Sequence, residues 1–263
     1  MTLQIRSSSG EGSTNSGAGI SKRKPYPRNA LRRAFVRAGK FAQVSRALPP
    51  DRDVIALNQP IGGIIKRTFD IAIAASALLT LCPLFVLIAG LIKASDGGPV
   101  FYRHIRLGHC RRSFPCLKFR TMVTNADDVL TEHLRLSRTA TKEWAATRKL
   151  KSDPRITRVG AVLRKLSIDE LPQLINVLRG EMSVVGPRPI VFDEIPMYGD
   201  AIDSYFSARP GLTGAWQVNG RSNESYERRV TLDRIYVENW SLWTDLQIVV
   251  KTIPAVLATH SAY

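Results

Sequence analysis

The sequence has few cysteines and no apolar leader. Its three cysteines, Cys82, Cys110 and Cys116, are an odd number and lack the spacing of zinc ligands. The first ten residues, MTLQIRSSSG, contain no apolar run that could act as a signal peptide. We therefore expect the bulk of the chain to lie in the reducing cytosol.

Acidic residues are also in short supply. The 263 residues include 38 Lys and Arg against 22 Asp and Glu, which gives a formal net charge of +16. Such an excess calls for an anionic partner, which could be nucleic acid, acidic lipid or a phosphorylated substrate. No nucleic-acid-binding motif is recognisable, so we expect no nucleic-acid partner. The hydrophobic share of 44% is enough for a core and excludes global disorder.

Residues 1–60 form a basic N-terminal region that we predict to be partly disordered. Between Ser7 and Gly19 the chain offers almost nothing to bury. Asn29 can cap an amphipathic helix whose apolar positions, from Leu31 to Ala42, alternate with Arg and Lys. Such a helix fits an anionic membrane surface, and a solvated linker helix or no helix at all remain open alternatives.

The strongest physical signal is an apolar segment from Ile71 to Ile92 that carries no charge. As a helix it would be long enough to cross a bilayer core of about 30 Å. Basic residues flank both ends, which disfavours a single crossing because one cluster would lie outside. Cys82 and Pro83 lie near the middle, where proline bends a helix. We predict a re-entrant hairpin over residues 61–95, with a single crossing and a buried core helix as alternatives.

Downstream, residues 96–263 are expected to form a soluble head. VFYRHIR and FPCLKFR read as a β-hairpin around the bend LGHCRRS. Helices are predicted over Asp127 to Leu150, Thr157 to Leu166 and Ser167 to Leu178, the last ended by Gly180. Trp240, Trp243 and residues 246–257 indicate either a second interfacial element or a Trp-lined core. The fold class is α+β and mainly helical, a monotopic membrane protein with a cytosolic catalytic head.

Two adjacent carboxylates are the main candidates for chemistry. Ser167 to Glu170 fits a capping box, which would put Asp169 and Glu170 in the first turn of a helix. A good helix start would look the same, but Arg164 precedes the pair, and Arg188 follows between two prolines as a rigid fork for phosphate oxygens. Carboxylates among phosphate-binding cations indicate Mg²⁺ and phosphoryl transfer.

Several blocks of the sequence resemble the bacterial sugar transferase family, the monotopic polyprenyl-phosphate glycosyl-1-phosphate transferases. The match runs in order over roughly residues 60–260. Its blocks are KRTFD, GGPVFYRHIRLG, LKFRTM, the long stretch from Asp153 to Pro189, and RPGLTGAWQVNGR. The pattern is most similar to short exopolysaccharide-initiating members that transfer galactose or glucose 1-phosphate. The family often has Ser-Pro at the membrane bend, where this chain has Cys82-Pro83.

The resemblance implies a reaction and a set of site residues. Sugar 1-phosphate would pass from a UDP-sugar to undecaprenyl phosphate, with release of UMP and an aspartyl phosphosugar intermediate. Asp169 would be the nucleophile and a ligand of Mg²⁺, with Glu170 as its partner. The implied phosphate-binding residues are Lys118, Arg120, Arg164 and Arg188, and the implied nucleotide-binding residues are Arg188 and Arg221. For Lys118 and Arg120 a solvated hairpin is the alternative.

The resemblance also places the protein at the inner membrane, with its catalytic domain on the cytosolic face. Membrane lipids join the donor and the acceptor as partners, and a homodimer is compatible with the sequence. A basic membrane-anchored binding or scaffold protein without catalysis is the alternative reading. That alternative gives no role to the two adjacent acids, Asp169 and Glu170, which lie between two groups of arginines in the sequence.

Overall fold

The structure is a computed structural model that describes residues 59–219 and 225–257. The predicted amphipathic helix at Asn29 and the predicted nucleotide ligand Arg221 lie outside these residues. Three-residue 3-10 turns occur at His109–Arg111, Ile168–Glu170, Phe192–Glu194 and Gly199–Ala201. The other elements, in chain order, are α1 Gly63–Asp96, β1 Phe101–Leu107, β2 Ser113–Phe119, α2 Ala126–Leu136, α3 Arg138–Thr147, α4 Arg158–Lys165, α5 Gln173–Arg179, β3 Ser183–Val185, α6 Ile195–Tyr198, α7 Ile202–Phe206, β4 Gly211–Thr213, α8 Ala215–Val218, α9 Tyr226–Glu238 and α10 Leu242–Leu257.

The described chain is mostly helical with two small sheets, as the α+β prediction requires. The first sheet is the predicted hairpin, in which β1 and β2 pair antiparallel with Phe101 opposite Phe119 and Leu107 opposite Ser113. The second sheet pairs β3 and β4 in parallel. Each sheet has two strands, so most of the packing surface comes from helices.

The apolar segment forms α1, one helix of 34 residues that passes through Cys82 and Pro83. It starts after Gly62 and stops at Gly97, both in the left-handed backbone region that favours glycine. Among the described helices, α1 alone is long and apolar enough to cross a membrane. The re-entrant hairpin stays a prediction, because helix length and composition fit both topologies.

Both halves of α1 pack against the same head. In the N-terminal half, Arg67 donates to the carbonyls of Val177 and Leu178 at the end of α5. In the C-terminal half, Ile88 and Ile92 are buried in one cluster with residues of β2 and α4. The outward face of α1 is open, with Leu79 80% exposed.

The region predicted as one helix from Asp127 to Leu150 is two helices, α2 and α3. The break falls at Ser137, whose backbone is extended and whose side chain accepts a hydrogen bond from the Ala140 amide. Serine competes for backbone donors in this way and favours helix caps over helix interiors. The prediction of a helix from Thr157 to Leu166 is confirmed, with Thr157 capping α4 through the Gly160 amide.

Candidate active site

The two acids lie on a 3-10 turn between α4 and α5, and the predicted capping box is wrong. Ser167 has φ 56° and ψ 18° and makes no side-chain cap. Pro172 explains the difference, because it has no amide hydrogen to bond the Ile168 carbonyl and would break a helix continued through it. Leu171 bonds that carbonyl instead, at 3.1 Å, and α5 starts only after Pro172. The predicted stop at Gly180 is confirmed.

Ser167 is the residue that redirects the chain into this turn. A positive φ is uncommon outside glycine and costs free energy, so it persists only where the surroundings hold it. Here α4 ends at Lys165, and the Ser167 amide donates to the Arg164 carbonyl. As a result, neighbouring side chains on the turn face different parts of the head.

Glu170 is held by Lys118 of β2. The Lys118 Nζ donates to Glu170 Oε1 at 2.5 Å, and both side chains are partly exposed. Burial alone would raise the pKa of Glu170, but the charge and hydrogen bond of Lys118, with Arg188 and Arg106 nearby, hold its pKa below the usual value. Glu170 is therefore ionised and committed to an ion pair at neutral pH.

Asp169 has a different electrostatic environment. Burial raises its pKa above the usual value, and the negative charge of Glu170 adds to that effect. The cations Lys118 and Arg164 work in the opposite direction. The environment thus lowers the pKa of Glu170 and raises the pKa of Asp169, so the two pKa values are separated. Such a separation is typical of acids that take different roles in one reaction.

Arg164 and Arg188 reach the site from different elements. Arg164, in the last turn of α4, donates from Nε to Thr121 Oγ1 at 2.8 Å. Arg188 follows β3 and lines a cleft with Glu170 and Lys118. The structure thus places Lys118, Arg164 and Glu170 close to Asp169, and Arg188 in the cleft beside Glu170.

The loop that carries Arg188 is fixed by backbone bonds on both sides. The Pro187 carbonyl accepts from Gly211 at 2.8 Å, and the Pro189 carbonyl accepts from Arg106 at 3.1 Å. A side chain at Gly211 would meet the Gly186 backbone at about 2.1 Å, so only glycine permits this approach. The backbone on both sides of Arg188 is therefore held in place, as the two prolines predicted.

Arg188 also stacks on Trp216, with its guanidinium 5.4 Å from the ring centre. A second arginine, Arg229, lies 5.2 Å from the same ring and 4.9 Å from the ring of Tyr226. Arg229 is buried, and two of its nitrogens have no hydrogen-bond partner. Cations near aromatic rings are attracted by the ring quadrupole, more strongly when water is excluded.

The remaining predicted residues lie elsewhere. Arg120 is buried and forms a two-pronged pair with Asp96, its Nη1 lying 2.8 Å from Asp96 Oδ2 at the end of α1. This pair commits its guanidinium to the fold, and its role as a phosphate ligand stays a prediction. Cys82 and Pro83 are exposed within α1, away from the head.

Some cleft residues escaped the sequence analysis. Arg106 donates to the Pro189 carbonyl, and Gln173 and Gln217 line the cleft. Arg106 could have been found from the strand register, because Tyr102, His104 and Arg106 share one face of the hairpin with Lys118 and Cys116. The two glutamines have no local signal in the sequence.

The donor set fits a magnesium ion that is held partly by substrate. Mg²⁺ usually takes one or two carboxylates and completes its shell with water and phosphate oxygens. The described residues contain no group of three potential metal ligands, so they do not form an all-protein cage. Asp169 supplies one carboxylate beside the cleft, whereas Glu170 is engaged by Lys118.

Comparisons with known proteins show the family of this chain. Residues 61–259 match the family model described as bacterial sugar transferase. The chain is 59% identical over 205 residues to the exopolysaccharide production protein ExoY of Rhizobium meliloti, covering 78% of this chain and 91% of that protein. It is 50% identical over 199 residues to the undecaprenyl-phosphate galactose phosphotransferase of Salmonella typhimurium, covering 76% of this chain and 42% of that protein.

A third relative has a different sugar in its name. The UDP-glucose:undecaprenyl-phosphate glucose-1-phosphate transferase of Caulobacter vibrioides is 40% identical over 208 residues, with 75% of this chain and 72% of that protein covered. The family model spans most of the chain and includes the Asp169 turn, β2 and the Arg188 loop. The chain is therefore a transferase that belongs to the bacterial sugar transferase family.

Proposed function

We propose that this protein transfers hexose 1-phosphate from a UDP-hexose to undecaprenyl phosphate and releases UMP, as the first step of an exopolysaccharide repeat unit. The observation that carries the proposal is the pair of acids on the 3-10 turn, with Glu170 held by Lys118 and Asp169 left to react. The names of the relatives supply the lipid carrier and the hexose. Galactose is favoured, because the galactose enzyme shares more identity than the glucose enzyme.

In the first half-reaction, an oxygen of Asp169 attacks the phosphorus that carries the sugar. The bond from that phosphorus to the bridging oxygen breaks, and UMP leaves with the electron pair. A carboxylate needs no general base at neutral pH, so the main obstacle is repulsion from the diphosphate. Lys118, Arg164 and Arg188 offset that repulsion from fixed positions around the turn.

In the second half-reaction, an oxygen of the lipid phosphate attacks the same phosphorus and displaces Asp169. The product is a diphosphate that links lipid and sugar, and the enzyme returns to its starting state. Asp169 would be the residue that holds a magnesium ion, which would supply positive charge to offset the negative charge of the phosphates. Lys118 keeps Glu170 ionised and fixed, so that Asp169 is the free carboxylate of the pair.

The membrane arrangement follows from the two ends of α1. Lys66 near the start of α1 lies 2.5 Å from Asp245 of α10, and Asp96 at its end pairs with Arg120. A spanning helix would put these ends on opposite sides of about 30 Å of hydrocarbon, yet both contact one head. This supports a re-entrant α1 that holds the head at the headgroup level of the inner membrane, on the cytosolic side.

Replacing the nucleophile tests the reaction. We expect Asp169→Asn, purified with Mg²⁺, UDP-galactose and undecaprenyl phosphate, to lose UMP release and the phosphosugar adduct by about three orders of magnitude or more. Glu170→Gln is the matched control, because it keeps the nucleophile and alters only its neighbour, so some adduct should remain. Full turnover in Asp169→Asn would refute the mechanism, and a binding or scaffold protein would release no UMP in any variant.

A further inference from the structure

The turn that carries the acids lies on a boundary between a polar and an apolar surface. Glu170 faces Lys118 and the charged cleft. Ile168, two residues earlier, packs against the cluster of Ile88, Ile92, Phe119 and Leu163. Asp169 lies between them in sequence, so the proposed nucleophile stands where the charged cleft meets an apolar layer.

The apolar side of this boundary continues as a row of three aromatic rings, which we call the aromatic row. Phe85 of α1 meets Phe119 of β2 edge-on, with ring centres 5.1 Å apart. Phe101 of β1 stacks on Phe119 at 5.6 Å. Phe119 is buried, whereas Phe101 is 41% exposed at the outer end of the row. The row thus connects the apolar helix with the strand edge beside the acids.

Phe101 is also close to the proposed chemistry along the hairpin. It pairs with Phe119, and the next residue pair in the register is Tyr102 with Lys118. Side chains alternate between the faces of a strand, so Lys118 points to the cleft and Phe119 to the apolar layer. Lys118, which holds Glu170, and Phe119 of the aromatic row are therefore consecutive residues of β2.

This arrangement suits a ligand with a phosphate at one end and a hydrocarbon chain attached to it. We infer that the aromatic row is the subsite for the first isoprene units of the polyprenyl phosphate acceptor, with Phe101 as the contact residue. The inference rests on the proposed function, which supplies the acceptor. Two observations favour this occupant: the row is continuous with α1, and cations for the phosphate lie directly across the boundary.

Acceptor dependence tests the subsite in the full-length protein in detergent micelles. Phe101→Ser should raise the KM for undecaprenyl phosphate about tenfold, equivalent to about 1.4 kcal/mol. The rate of adduct formation from the UDP-sugar should be unchanged, since that half-reaction does not involve the lipid. Phe101→Leu keeps most of the apolar area and should recover the wild-type KM to within about threefold.

The matched control is Ile105→Ser. Ile105 is 59% exposed on the same face of the same strand, but about 13 Å further along at roughly 3.3 Å per residue. A general membrane contact would make both serine variants equally defective, and that result would overturn the subsite. So would an unchanged acceptor KM in Phe101→Ser.

A direct binding measurement with the lipid distinguishes a failure of the proposed subsite from a failure of the proposed function. Undecaprenyl phosphate titrated into each full-length variant, without donor, should bind about tenfold more weakly to Phe101→Ser and normally to Ile105→Ser. Absence of an adduct in the wild-type protein would refute the proposed function, and this titration would still decide the subsite. Equal affinity in all variants would overturn the inference. Matching thermal unfolding of the variants excludes a folding defect as the cause.

Discussion

At the scale of single residues, the site depends on cations held in fixed positions. Arg188 is fixed by two prolines along the chain and by the ring of Trp216 beside its guanidinium. Glu194 lies 3.8 Å from Arg229 and 3.7 Å from Arg106. Trp216 thus contacts two arginines, Arg188 at the cleft and the buried Arg229, and we expect its ring to position Arg188.

Removing the ring should weaken donor binding. A desolvated cation–π contact is worth up to about 2 kcal/mol, so Trp216→Leu should raise the KM for the UDP-sugar about tenfold or more. Trp216→Phe keeps a ring and should retain most of the affinity. The measurement is steady-state UMP release at varied donor and at varied acceptor.

A double-mutant cycle separates positioning from general stability. If Trp216 acts through Arg188, then Trp216→Leu should have little further effect on the donor KM in an Arg188→Ala background. Additive effects of the two substitutions would show that the ring acts independently of Arg188. Thermal unfolding of each variant reports any loss of fold separately.

At single residues the sequence located side chains that come together, but not the backbone geometry that holds them. The family resemblance implied Lys118, Arg164 and Arg188 as phosphate ligands, and the structure places them near the acids, while the role itself stays a prediction. Ser167 looked like a cap, because the pattern of Ser and Glu three apart ignores the proline further along. Arg120 looked like Lys118, two residues earlier, but it lies just past the end of β2 and pairs with Asp96 at the end of α1.

At the scale of elements, α4 positions the acids by docking on the backbone at Thr121. The Thr121 carbonyl accepts from the Thr157 amide at 3.0 Å, and its hydroxyl accepts from Arg164. Gly160 lies at the contact, where an added Cβ would come about 2.1 Å from the Thr121 carbonyl oxygen. No side chain fits at that distance, so α4 can approach β2 only because residue 160 is glycine.

Gly160→Ala should therefore displace α4 and the turn that follows it. We expect a lower unfolding temperature and a loss of adduct formation of at least tenfold, because catalytic groups tolerate little misplacement. Gly90→Ala is the matched control, since an added Cβ there meets nothing within 4 Å in α1. Alanine should leave that variant unchanged or slightly more stable. Equal behaviour of the two variants would contradict the docking role of Gly160.

The ends of helices and strands could be predicted only where other signals agree with the spacing of the apolar residues. The hairpin and α4 could be predicted because alternation and capping residues agree within a few positions. The split between α2 and α3 at Ser137 could not, since the apolar spacing continues across it. Trp240 fits the predicted core environment, because it donates to the buried Asp245, whereas Trp243 is 67% exposed and its place at an interface stays a prediction.

At the largest scale, the apolar helix α1 and the charged head have to be arranged relative to one membrane. The two ends of α1 are tied to the head by ion pairs, Lys66 with Asp245 and Asp96 with Arg120. Lys66 is 3% exposed and Asp245 fully buried, and removing one partner of such a pair typically costs about 3–5 kcal/mol. A topology that separated the ends would lose the Lys66 pair or the Asp96 pair, whereas a re-entrant topology keeps both.

This argument predicts how the chain is accessible in cells. Single cysteines at Gly10 and at Lys149, introduced after replacing the three native cysteines, should both be shielded from an impermeant thiol reagent in intact cells. Gly10 precedes α1 and Lys149 follows it in an exposed part of the head, so a re-entrant helix puts both on the cytosolic side. Permeabilised cells should label at both positions, which controls for thiol reactivity. Labelling of Gly10→Cys alone in intact cells would mean that α1 crosses the membrane, and the ion pairs at its two ends could not then coexist.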